Sequence, residues 1–196
     1  MVKWMNNFYL QRNRILDLFI DFPIIKMDKY LLRDIKENNY SDVIKIYNNK
    51  EIYKYNNIPH IRKRIDAIRL IKQLKYEYEL EERVTWGIED RVSKDIIGII
   101  GISDISISDR KVEISYIIKK ECMRKGIMKE CIKVLLGELF SKYNLKRVEA
   151  NIYTKNISSI NLCKSLGFEE EGLRKKYIYN INTREYMDTY IYAIVN

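Results

Sequence analysis

The sequence has few of the residues on which metal centres and histidine-dependent catalysis rely. Its 196 residues include three cysteines and a single histidine, His60. The cysteines, Cys122, Cys131 and Cys163, lack the CxxC spacing of zinc sites and offer no recognisable ligand set with His60. We therefore expect no metal, and neither Ser-His-Asp nor Cys-His catalysis. We interpret the cysteines as small buried hydrophobic residues in a reducing compartment.

Long apolar runs are equally scarce. The apolar segments are short and interrupted by charges, so none approaches the roughly 18 residues of a membrane-spanning helix. The first residues, MVKWMNNFYLQRNR, lack the apolar core of a signal peptide. We therefore expect a cytoplasmic protein that does not have a membrane as a partner.

Proline is limited to Pro23 and Pro59, and no glycine- or serine-rich linker, repeat or low-complexity tract divides the chain. The apolar content of 46% is ordinary for a folded domain. We expect one main domain over residues 22–196, preceded by an N-terminal helical extension over residues 1–21. The extension has an apolar side formed by Ile15, Leu16, Leu18 and Phe19.

The chain carries a formal net charge of +9, from 36 basic and 27 acidic side chains. The basic residues are spread among acids, without the sustained lysine and arginine block of a nucleic-acid-binding arm. We interpret the surplus of basic residues as part of a solvated surface, whose positive charge helps to attract a polyanionic cofactor or an acidic partner. Nucleic acid is not expected to be the main partner.

Hydrophobic periodicity predicts an α/β (α+β) domain. Strands in sequence without helices between them form antiparallel meanders, whereas a strand joined through a helix to the next strand pairs in parallel. We therefore expect a mixed sheet. Strands are predicted near 24–34, 84–88, 95–105, 111–118, 147–153, 174–181 and 187–194, and helices after an N-cap at Ser41 and over 62–82, 127–143 and 157–166.

The segment 111–168 holds the most specific pattern. The strand VEISYII at 112–118 is followed by a basic turn with Gly126 and then by a helix. The first turn of a helix has unpaired N–H donors and the positive end of the helix dipole, which together favour a phosphate group. A phosphorylated ligand is therefore expected at this turn.

An ordered set of segments resembles the GNAT N-acetyltransferase superfamily, and more narrowly its RimJ/RimL-like branch, over about residues 22–195. These segments are DKYLLRDIKENNYSDVIKIYN (28–48), VEISYII (112–118), MRKGIMKE (123–130), KNISSINLCKSLGFEEEGLRK (155–175) and EYMDTYIY (185–192). The resemblance implies the GNAT fold, a twisted, mostly antiparallel mixed sheet of about six to seven strands flanked by about four helices. It also implies an N-acetyltransferase with acetyl-CoA as co-substrate and no metal; a homodimer stays open.

The resemblance assigns the pyrophosphate of CoA to an Arg/Gln-x-x-Gly-x-Gly/Ala turn, which corresponds to residues 123–128. Only Gly126 matches this pattern. Met123 stands where a polar residue is usual, and Met128 where a small one lets the pyrophosphate approach the backbone. A larger residue at 128 is compatible if its side chain turns inward, because the phosphate contacts are main-chain N–H groups. The implied cofactor-binding residues are Ile117, Ile118, Met123, Arg124, Lys125, Gly126, Ile127, Met128, Asn156 and Ser159.

Arg124 and Lys125 either add positive charge for the phosphates or are ordinary solvated residues beside a turn. Asn156 and Ser159 match the family's N-x-x-S, where the amide holds the pantetheine arm and the serine hydroxyl donates a proton to the departing thiolate. Alternatively, Asn156 or its neighbour Ser158 caps a helix without any ligand. Many relatives outside the branch have a tyrosine at the place of Cys163, so a tyrosine acid is absent from that place.

The resemblance implies that Glu113 is the general base, acting directly or through a water. Strand alternation places Glu113 on the same face as Ser115. If that face is exposed to solvent, Glu113 is an ordinary surface carboxylate. Glu149 and Asn151, on the open face of the neighbouring strand, are weaker candidates.

The implied reaction is direct attack of a neutral amine on the thioester, whose carbonyl is polarised by N–H groups near Ile117 and Ile118. An α-amino group with a pKa of about 7.7–8.0 is roughly one-tenth neutral at pH 7, whereas a lysine is almost fully protonated. We therefore expect the acceptor to be a protein or peptide N-terminal α-amine, of ribosomal-protein type. The alternatives are a small-molecule amine such as an antibiotic or polyamine, which several carboxylates in the acceptor cleft would indicate, and a non-catalytic CoA- or nucleic-acid-binding protein on the same fold.

Overall fold

An open eight-stranded sheet organises the chain in the computed structural model, which describes residues 14–55, 57–58 and 60–196. The strand order is β1-β2-β3-β4-β5-β6-β8-β7, and all neighbouring strands are antiparallel except the parallel pair β5 and β6. The predicted mixed sheet is thus confirmed. The strands are β1 Ile25–Lys26, β2 Tyr30–Arg33, β3 Val84–Asp90, β4 Ile96–Ser106, β5 Lys111–Ile118, β6 Arg147–Tyr153, β7 Glu169–Asn180 and β8 Glu185–Val195.

The strand predicted near 24–34 is divided by a turn, which brings the number of strands slightly above the predicted six to seven. The Met27 N–H donates to the carbonyl of Tyr30 at 3.0 Å, so β1 folds back on β2 as an antiparallel pair. Asp28 and Lys29 at the turn are polar and exposed. A polar pair inside an apolar run therefore marks a tight turn here.

Five α-helices lie wholly within the described residues, together with short 3-10 turns at Glu37–Asn39 and Lys120–Cys122. The pattern did not predict α2, a single turn. Because α1 begins at Tyr40, Ser41 lies inside the helix and its prediction as the N-cap is wrong. No helix in the described part of the chain is long and apolar enough to cross a membrane. The helices are α1 Tyr40–Tyr47, α2 Ile52–Tyr55, α3 Arg64–Glu79, α4 Ile127–Ser141 and α5 Ile157–Ser165.

Helices cover both faces of the sheet. On one face, Leu135 of α4 and Ile114 of β5 belong to the larger of two buried clusters. On the other face, Ile46 of α1 and Ile71 of α3 pack with Ile99 of β4 in the second cluster. Consecutive residues of β4 are apolar because both faces of this strand are buried.

The described end of the N-terminal segment packs into the domain. Residues 1–13 of the predicted extension lie outside the described residues, and residues 14–16 are helical. Ile15 and Leu18 are 1% and 0% exposed, and the hydroxyl of Tyr78 in α3 donates to the carbonyl of Leu18 at 3.1 Å. The division of the chain after residue 21 stays a prediction.

The feature of the sheet that creates a site is the divergence of β5 and β6. Their parallel ladder begins at Lys111↔Arg147 and ends at Glu113↔Glu149. Beyond this point β5 stays paired with β4 as far as Ile118. Likewise β6 stays paired with β8 as far as Tyr153. The two strands are thus held by their outer neighbours while the gap between them opens.

Candidate active site

The divergence of β5 and β6 opens a cleft of about 880 Å³, here named the interstrand cleft. Its walls come from the end of β5 at 116–118, from residues 122–129, from residues 155–162 and from residues 49–55 across the gap. All the cofactor-binding residues inferred from the sequence line this cleft except Lys125, whose side chain is exposed elsewhere on the turn. Separate segments of the sequence pattern therefore meet in one cavity.

The glycine turn presents backbone donors to the interstrand cleft. Gly126 is the N-cap of α4 and adopts a left-handed φ of 78°. A Cβ at this position would meet no atom within 4 Å, so glycine is needed for the backbone conformation and not for space. The N–H of Glu130 makes the first helical bond, to the Gly126 carbonyl at 3.0 Å. The N–H groups of residues 127–129 therefore lie at the helix start without intrahelical acceptors.

The two methionines of the turn differ in orientation. Met128 is 7% exposed and belongs to the larger buried cluster, so its side chain turns inward. Met123 is 39% exposed. Because Met128 is directed into the core, its bulk does not cover the backbone N–H groups of the turn.

Positive charge is concentrated around the cleft. Arg124, Lys129 and Lys155 line it, but the sequence pattern pointed only to Arg124. Lys129 is in the first turn of α4, next to the backbone donors, and this position was the signal that could have revealed it. The three cations and the helix N-terminus together favour a polyanionic ligand.

The start of α5 shows the capping geometry that was the alternative interpretation of Asn156. Its Oδ1 accepts the Ser159 N–H at 3.2 Å and the Ser158 hydroxyl at 3.0 Å. These bonds use the amide oxygen, so the Nδ2 donors are not part of them. Capping and ligand binding by Asn156 are therefore compatible, and the cap holds Ser159 at the cleft wall.

Tyr116 is a cleft residue that the sequence reasoning missed. Its hydroxyl lies 3.4 Å from the carbonyl oxygen of Ser159 and 3.5 Å from Cys163 Sγ, so its ring spans from β5 to α5. Burial, and then the neighbouring Cys163, raise the pKa of this phenol well above its ordinary value. Strand alternation from Ile114 was the signal that could have placed Tyr116 on the face of α4 and α5. An aromatic residue at such a position is, however, typical of the ordinary core.

A second cavity, here named the tyrosine pocket, is lined by residues from β5, β6 and β7. It measures about 680 Å³ and is lined by Glu113, Asn151, Tyr177, Tyr179 and their neighbours. Glu113 shares its sheet face with Ile117, which packs in the cluster of α1 and α3, whereas Tyr116 faces α4 and α5. The tyrosine pocket and the side chain of Tyr116 thus lie on opposite sides of the sheet, next to the same gap.

Glu113 has the electrostatic surroundings of a base. Asn151 Nδ2 donates to Glu113 Oε2 at 2.6 Å, and Asn151 Oδ1 in turn accepts from Arg174 Nη1 at 3.1 Å. Burial raises the pKa of Glu113 above its usual value; the Asn151 bond opposes this effect, and nearby Asp104 reinforces it. Glu113 is therefore not an ordinary solvated carboxylate.

Glu149, the weaker candidate for the base, has the opposite character. Burial alone would raise its pKa, but Arg147 at 2.7 Å and Lys111 at 3.6 Å outweigh this effect and lower the pKa. A carboxylate held by two cations is a weak proton acceptor. The surroundings of the two neighbouring acids thus shift their pKa values in opposite directions, upward for Glu113 and downward for Glu149.

The turn between β7 and β8 is fastened over the tyrosine pocket. Asn180 is fully buried, and its Nδ2 donates to the carbonyls of Tyr53 and Lys54 at 3.2 Å each. Its Oδ1 accepts the N–H groups of Asn182 and Thr183. This arrangement joins the hairpin to α2. No group of three or more His, Cys, Asp or Glu side chains that could hold a metal occurs in the ranges that the structure describes.

A strand gap, a helix N-terminus beside it and the half-buried carboxylate of Glu113 define an acyl-transfer type of site on a mixed sheet. The family model described as "Acetyltransferase (GNAT) domain" matches residues 29–169. The chain belongs to this family and is an N-acetyltransferase, and its resemblance to the RimJ/RimL-like branch is confirmed.

Several relatives are N-acetyltransferases by name. The uncharacterized N-acetyltransferase YoaA of Bacillus subtilis is 32% identical over 174 residues, which cover 89% of this chain and 97% of that protein. The [ribosomal protein uS5]-alanine N-acetyltransferase of Escherichia coli is 30% identical over 47% of this chain and 48% of that protein. The spermidine N(1)-acetyltransferase of Vibrio cholerae is 24% identical over 72% of this chain and 79% of that protein. The relatives thus act on different amines.

Solved structures share the fold. A ribosomal-protein-S5-alanine acetyltransferase from Vibrio fischeri gives a TM-score of 0.77 at 21% identity and covers 89% of this chain and 97% of that one. The microcin C7 self-immunity acetyltransferase MccE, in complex with acetyl-CoA and AMP, gives a TM-score of 0.77 at 21% identity, with coverage of 87% and 94%. The predicted GNAT fold is thereby confirmed.

Proposed function

We propose that this N-acetyltransferase binds acetyl-CoA in the interstrand cleft and transfers the acetyl group to the N-terminal α-amine of a protein or peptide held in the tyrosine pocket. The observation that carries the proposal is a pair of cavities next to one strand gap, one lined by the glycine turn and the start of α5 and the other by Glu113. The thioester enters the gap from one cavity and the amine from the other, so the nitrogen and the carbonyl carbon meet between β5 and β6.

The interstrand cleft suits the parts of acetyl-CoA in order. The N–H groups of residues 127–129 and the cations Arg124 and Lys129 complement a pyrophosphate. Asn156 Nδ2 is a donor for the pantetheine arm, and the Ser159 hydroxyl hydrogen-bonds to the sulfur. Because the N–H of Lys119 points to β4, strand alternation directs the N–H of Ile118 to the open gap, where it polarises the thioester carbonyl.

Glu113 is the general base in this proposal. A raised pKa makes its carboxylate a stronger proton acceptor than a solvated glutamate. Asn151 and Arg174 fix its orientation toward the tyrosine pocket. An α-amine is partly neutral at pH 7, so a carboxylate, directly or through a water, suffices to accept its proton.

The lining of the tyrosine pocket favours an acceptor with a single amino group over a polyamine. Among the described residues that line it, Glu113 is the only carboxylate, whereas Tyr177, Ile178, Tyr179 and Ile181 provide apolar surface. A polyamine carries several positive charges that would need several carboxylates. A peptide has one α-amine followed by side chains that can pack on aromatic rings, so the pocket fits this acceptor class better.

An acceptor screen tests the proposal. Purified protein is incubated with acetyl-CoA and with peptides carrying free or blocked N-termini, with spermidine and with aminoglycosides, and the products are read by mass spectrometry. Acetylation confined to free N-termini is the expected result. Preferential acetylation of spermidine or an aminoglycoside would overturn the acceptor assignment, and calorimetry without heat at millimolar acetyl-CoA would overturn the cleft assignment.

A further inference from the structure

A small polar space lies over Gly101 of β4, on the sheet face that carries Glu113. A Cβ placed on Gly101 would lie 3.3 Å from Ser115 Oγ, 3.3 Å from Thr85 Oγ1 and 3.6 Å from Arg83 Nη1. Ser115 follows Glu113 by two residues on β5, so strand alternation gives both the same face. Hydrogen-bond donors from three separate segments therefore surround one point.

The space over Gly101 differs from the space over Gly87 on the neighbouring strand. The three atoms nearest to a Cβ on Gly87 would be side-chain carbons of Ile35 and Ile96, at 2.9 to 3.2 Å. Close apolar packing thus accounts for the missing side chain of Gly87. The three atoms nearest to a Cβ on Gly101 are all polar, which apolar packing does not explain.

Thr85 provides the observation that points to a ligand. It is 7% exposed, and no residue in the described part of the chain forms a hydrogen bond with its buried Oγ1. Buried polar side chains are usually paired, because an unpaired one has lost its hydration without compensation. Since this Oγ1 borders the space over Gly101, a ligand atom in that space would supply the missing partner.

Arg83 gives the space a positive charge. Its Nε is 3.0 Å from Glu77 Oε2, whereas its Nη1 is the atom close to Gly101. The Arg83 side chain is one-third exposed and Ser115 is exposed, so the space can be reached from solvent. A guanidinium group together with two hydroxyl donors favours a carboxylate over a neutral carbonyl group.

The distance from Glu113 to this space suits the first residues of a peptide. Ser115 lies about 7 Å from Glu113 along β5, and its partner Gly101 on β4 is about 5 Å away, so Gly101 is roughly 8 Å from Glu113. Glu113, with Asp104 nearby, is the acidic end of this face, and Arg83 is the basic end. An extended peptide advances about 3.3 Å per residue, so the side chain of its second or third residue spans this distance when the α-amine is at Glu113.

On the proposed transfer of the acetyl group to a peptide α-amine at Glu113, we propose that the space over Gly101 binds the carboxylate of an aspartate or glutamate at the second or third residue of the acceptor. Arg83 Nη1 and the hydroxyls of Thr85 and Ser115 donate to the carboxylate oxygens. The subsite therefore selects protein N-termini that carry an acidic residue close to the amine.

A peptide series tests this selection. Peptides that begin with serine carry one aspartate at position two, three or seven, or asparagine at the same position, and KM for each peptide is measured at saturating acetyl-CoA. Aspartate at position two or three should lower KM about tenfold relative to asparagine, as expected for hydrogen bonds to a charged group. Aspartate at position seven should change KM less than about twofold, because it lies beyond the screening length.

Variants then assign the selection to the space over Gly101. Thr85→Val removes a hydroxyl that has no partner in the described chain, so it should keep Tm and reduce the preference for aspartate about threefold or more. Gly101→Ala fills the space and should abolish the preference. The controls are Thr189→Val, which removes another buried unpaired hydroxyl, and Gly137→Ala, where a Cβ meets no atom within 4 Å; both should keep the preference.

The outcomes separate this inference from the proposed function. Acetylation of the asparagine and aspartate peptides with equal KM, an equal effect of aspartate at all three positions, or a full preference in both Thr85→Val and Gly101→Ala would overturn the subsite and leave the proposed function intact. Absence of acetylation of every peptide by the wild-type protein would overturn the proposed acceptor class, and the subsite with it.

Discussion

A buried ion pair anchors the strand end that forms the interstrand cleft. Asp42 lies on α1, and Lys119 directly follows β5. Lys119 Nζ is 3.2 Å from Asp42 Oδ1, and the two residues are 7% and 8% exposed. Asp42 Oδ2 also accepts the N–H of Ile96 at 3.1 Å. The ion pair thus connects α1 to the start of the segment that leads from β5 to the glycine turn.

Asp42→Asn removes the negative charge while keeping the shape and an acceptor for Ile96. Lys119 is then left buried without its carboxylate, and breaking a buried pair from one side costs about 3–5 kcal/mol. Because the hydrogen bond from the Ile96 N–H survives, we expect a loss of stability at the low end of this range, about 3 kcal/mol. In a chain of 196 residues this corresponds to a fall in Tm of roughly 6–12 °C.

Thermal unfolding followed by circular dichroism at pH 7 measures this effect. Lys45→Met is the control, because Lys45 Nζ is 3.8 Å from the same carboxylate but its side chain is 59% exposed. Loss of this exposed partner should cost less than about 1 kcal/mol. Adding Lys119→Met to Asp42→Asn removes the unpaired buried ammonium and keeps the acceptor for the Ile96 N–H, so the double variant should recover part of the stability lost in Asp42→Asn. A Tm for Asp42→Asn within about 2 °C of wild type would refute the reasoning.

Three further variants probe the cavities. Glu113→Gln should lower kcat by about 100-fold or more. The wild-type rate should rise with pH as the raised pKa of Glu113 is passed, because the carboxylate then forms. Glu113→Gln should remove this acidic limb of the pH–rate profile. A profile that keeps this limb would exclude Glu113 as the base. Arg124→Gly should raise KM for acetyl-CoA several-fold, because a cation next to the phosphates is lost. Its Tm should not fall, because Arg124 has a left-handed φ of 58° that glycine adopts freely. Lys133→Ala, at an exposed position on α4, is the control for the loss of one positive charge. A drop in Tm would contradict this account of the turn. Ser159→Ala should reduce kcat about three- to tenfold at nearly unchanged CoA affinity, as expected for one lost hydrogen bond, and an unchanged rate would remove Ser159 from the mechanism.

The parts of the site that the sequence predicted are those determined by local backbone geometry. Gly126 at a helix start and Asn156 at the next helix start have positional signatures, and the structure shows the left-handed N-cap and the Oδ1 cap. The alternation of Val112 and Ile114 with Glu113 indicated which side of β5 carries the acid. These features needed no knowledge of the remaining fold.

The rest depends on contacts between distant segments. The Glu113–Asn151–Arg174 chain joins three strands, and no spacing in the sequence indicates that Arg174 reaches Asn151. Tyr177 and Tyr179 line a pocket in a part of β7 where the register against β8 shifts by two residues, between Arg174 and Ile178. The consecutive residues Tyr177, Ile178 and Tyr179 all line this pocket, so strand alternation alone does not predict its lining.

Strand geometry separates the proposed base from the far end of the interstrand cleft. Glu113 and Tyr116 are three residues apart on β5, which places them on opposite faces and about 10 Å apart along the strand. β4 pairs with β5 over this stretch, from Ser103↔Glu113 to Gly98↔Ile118, so the spacing is set by the sheet and not by loops. In the proposed reaction, the proton that the amine gives to Glu113 therefore stays on the side of the tyrosine pocket, and only the acetyl group passes from the interstrand cleft to the acceptor.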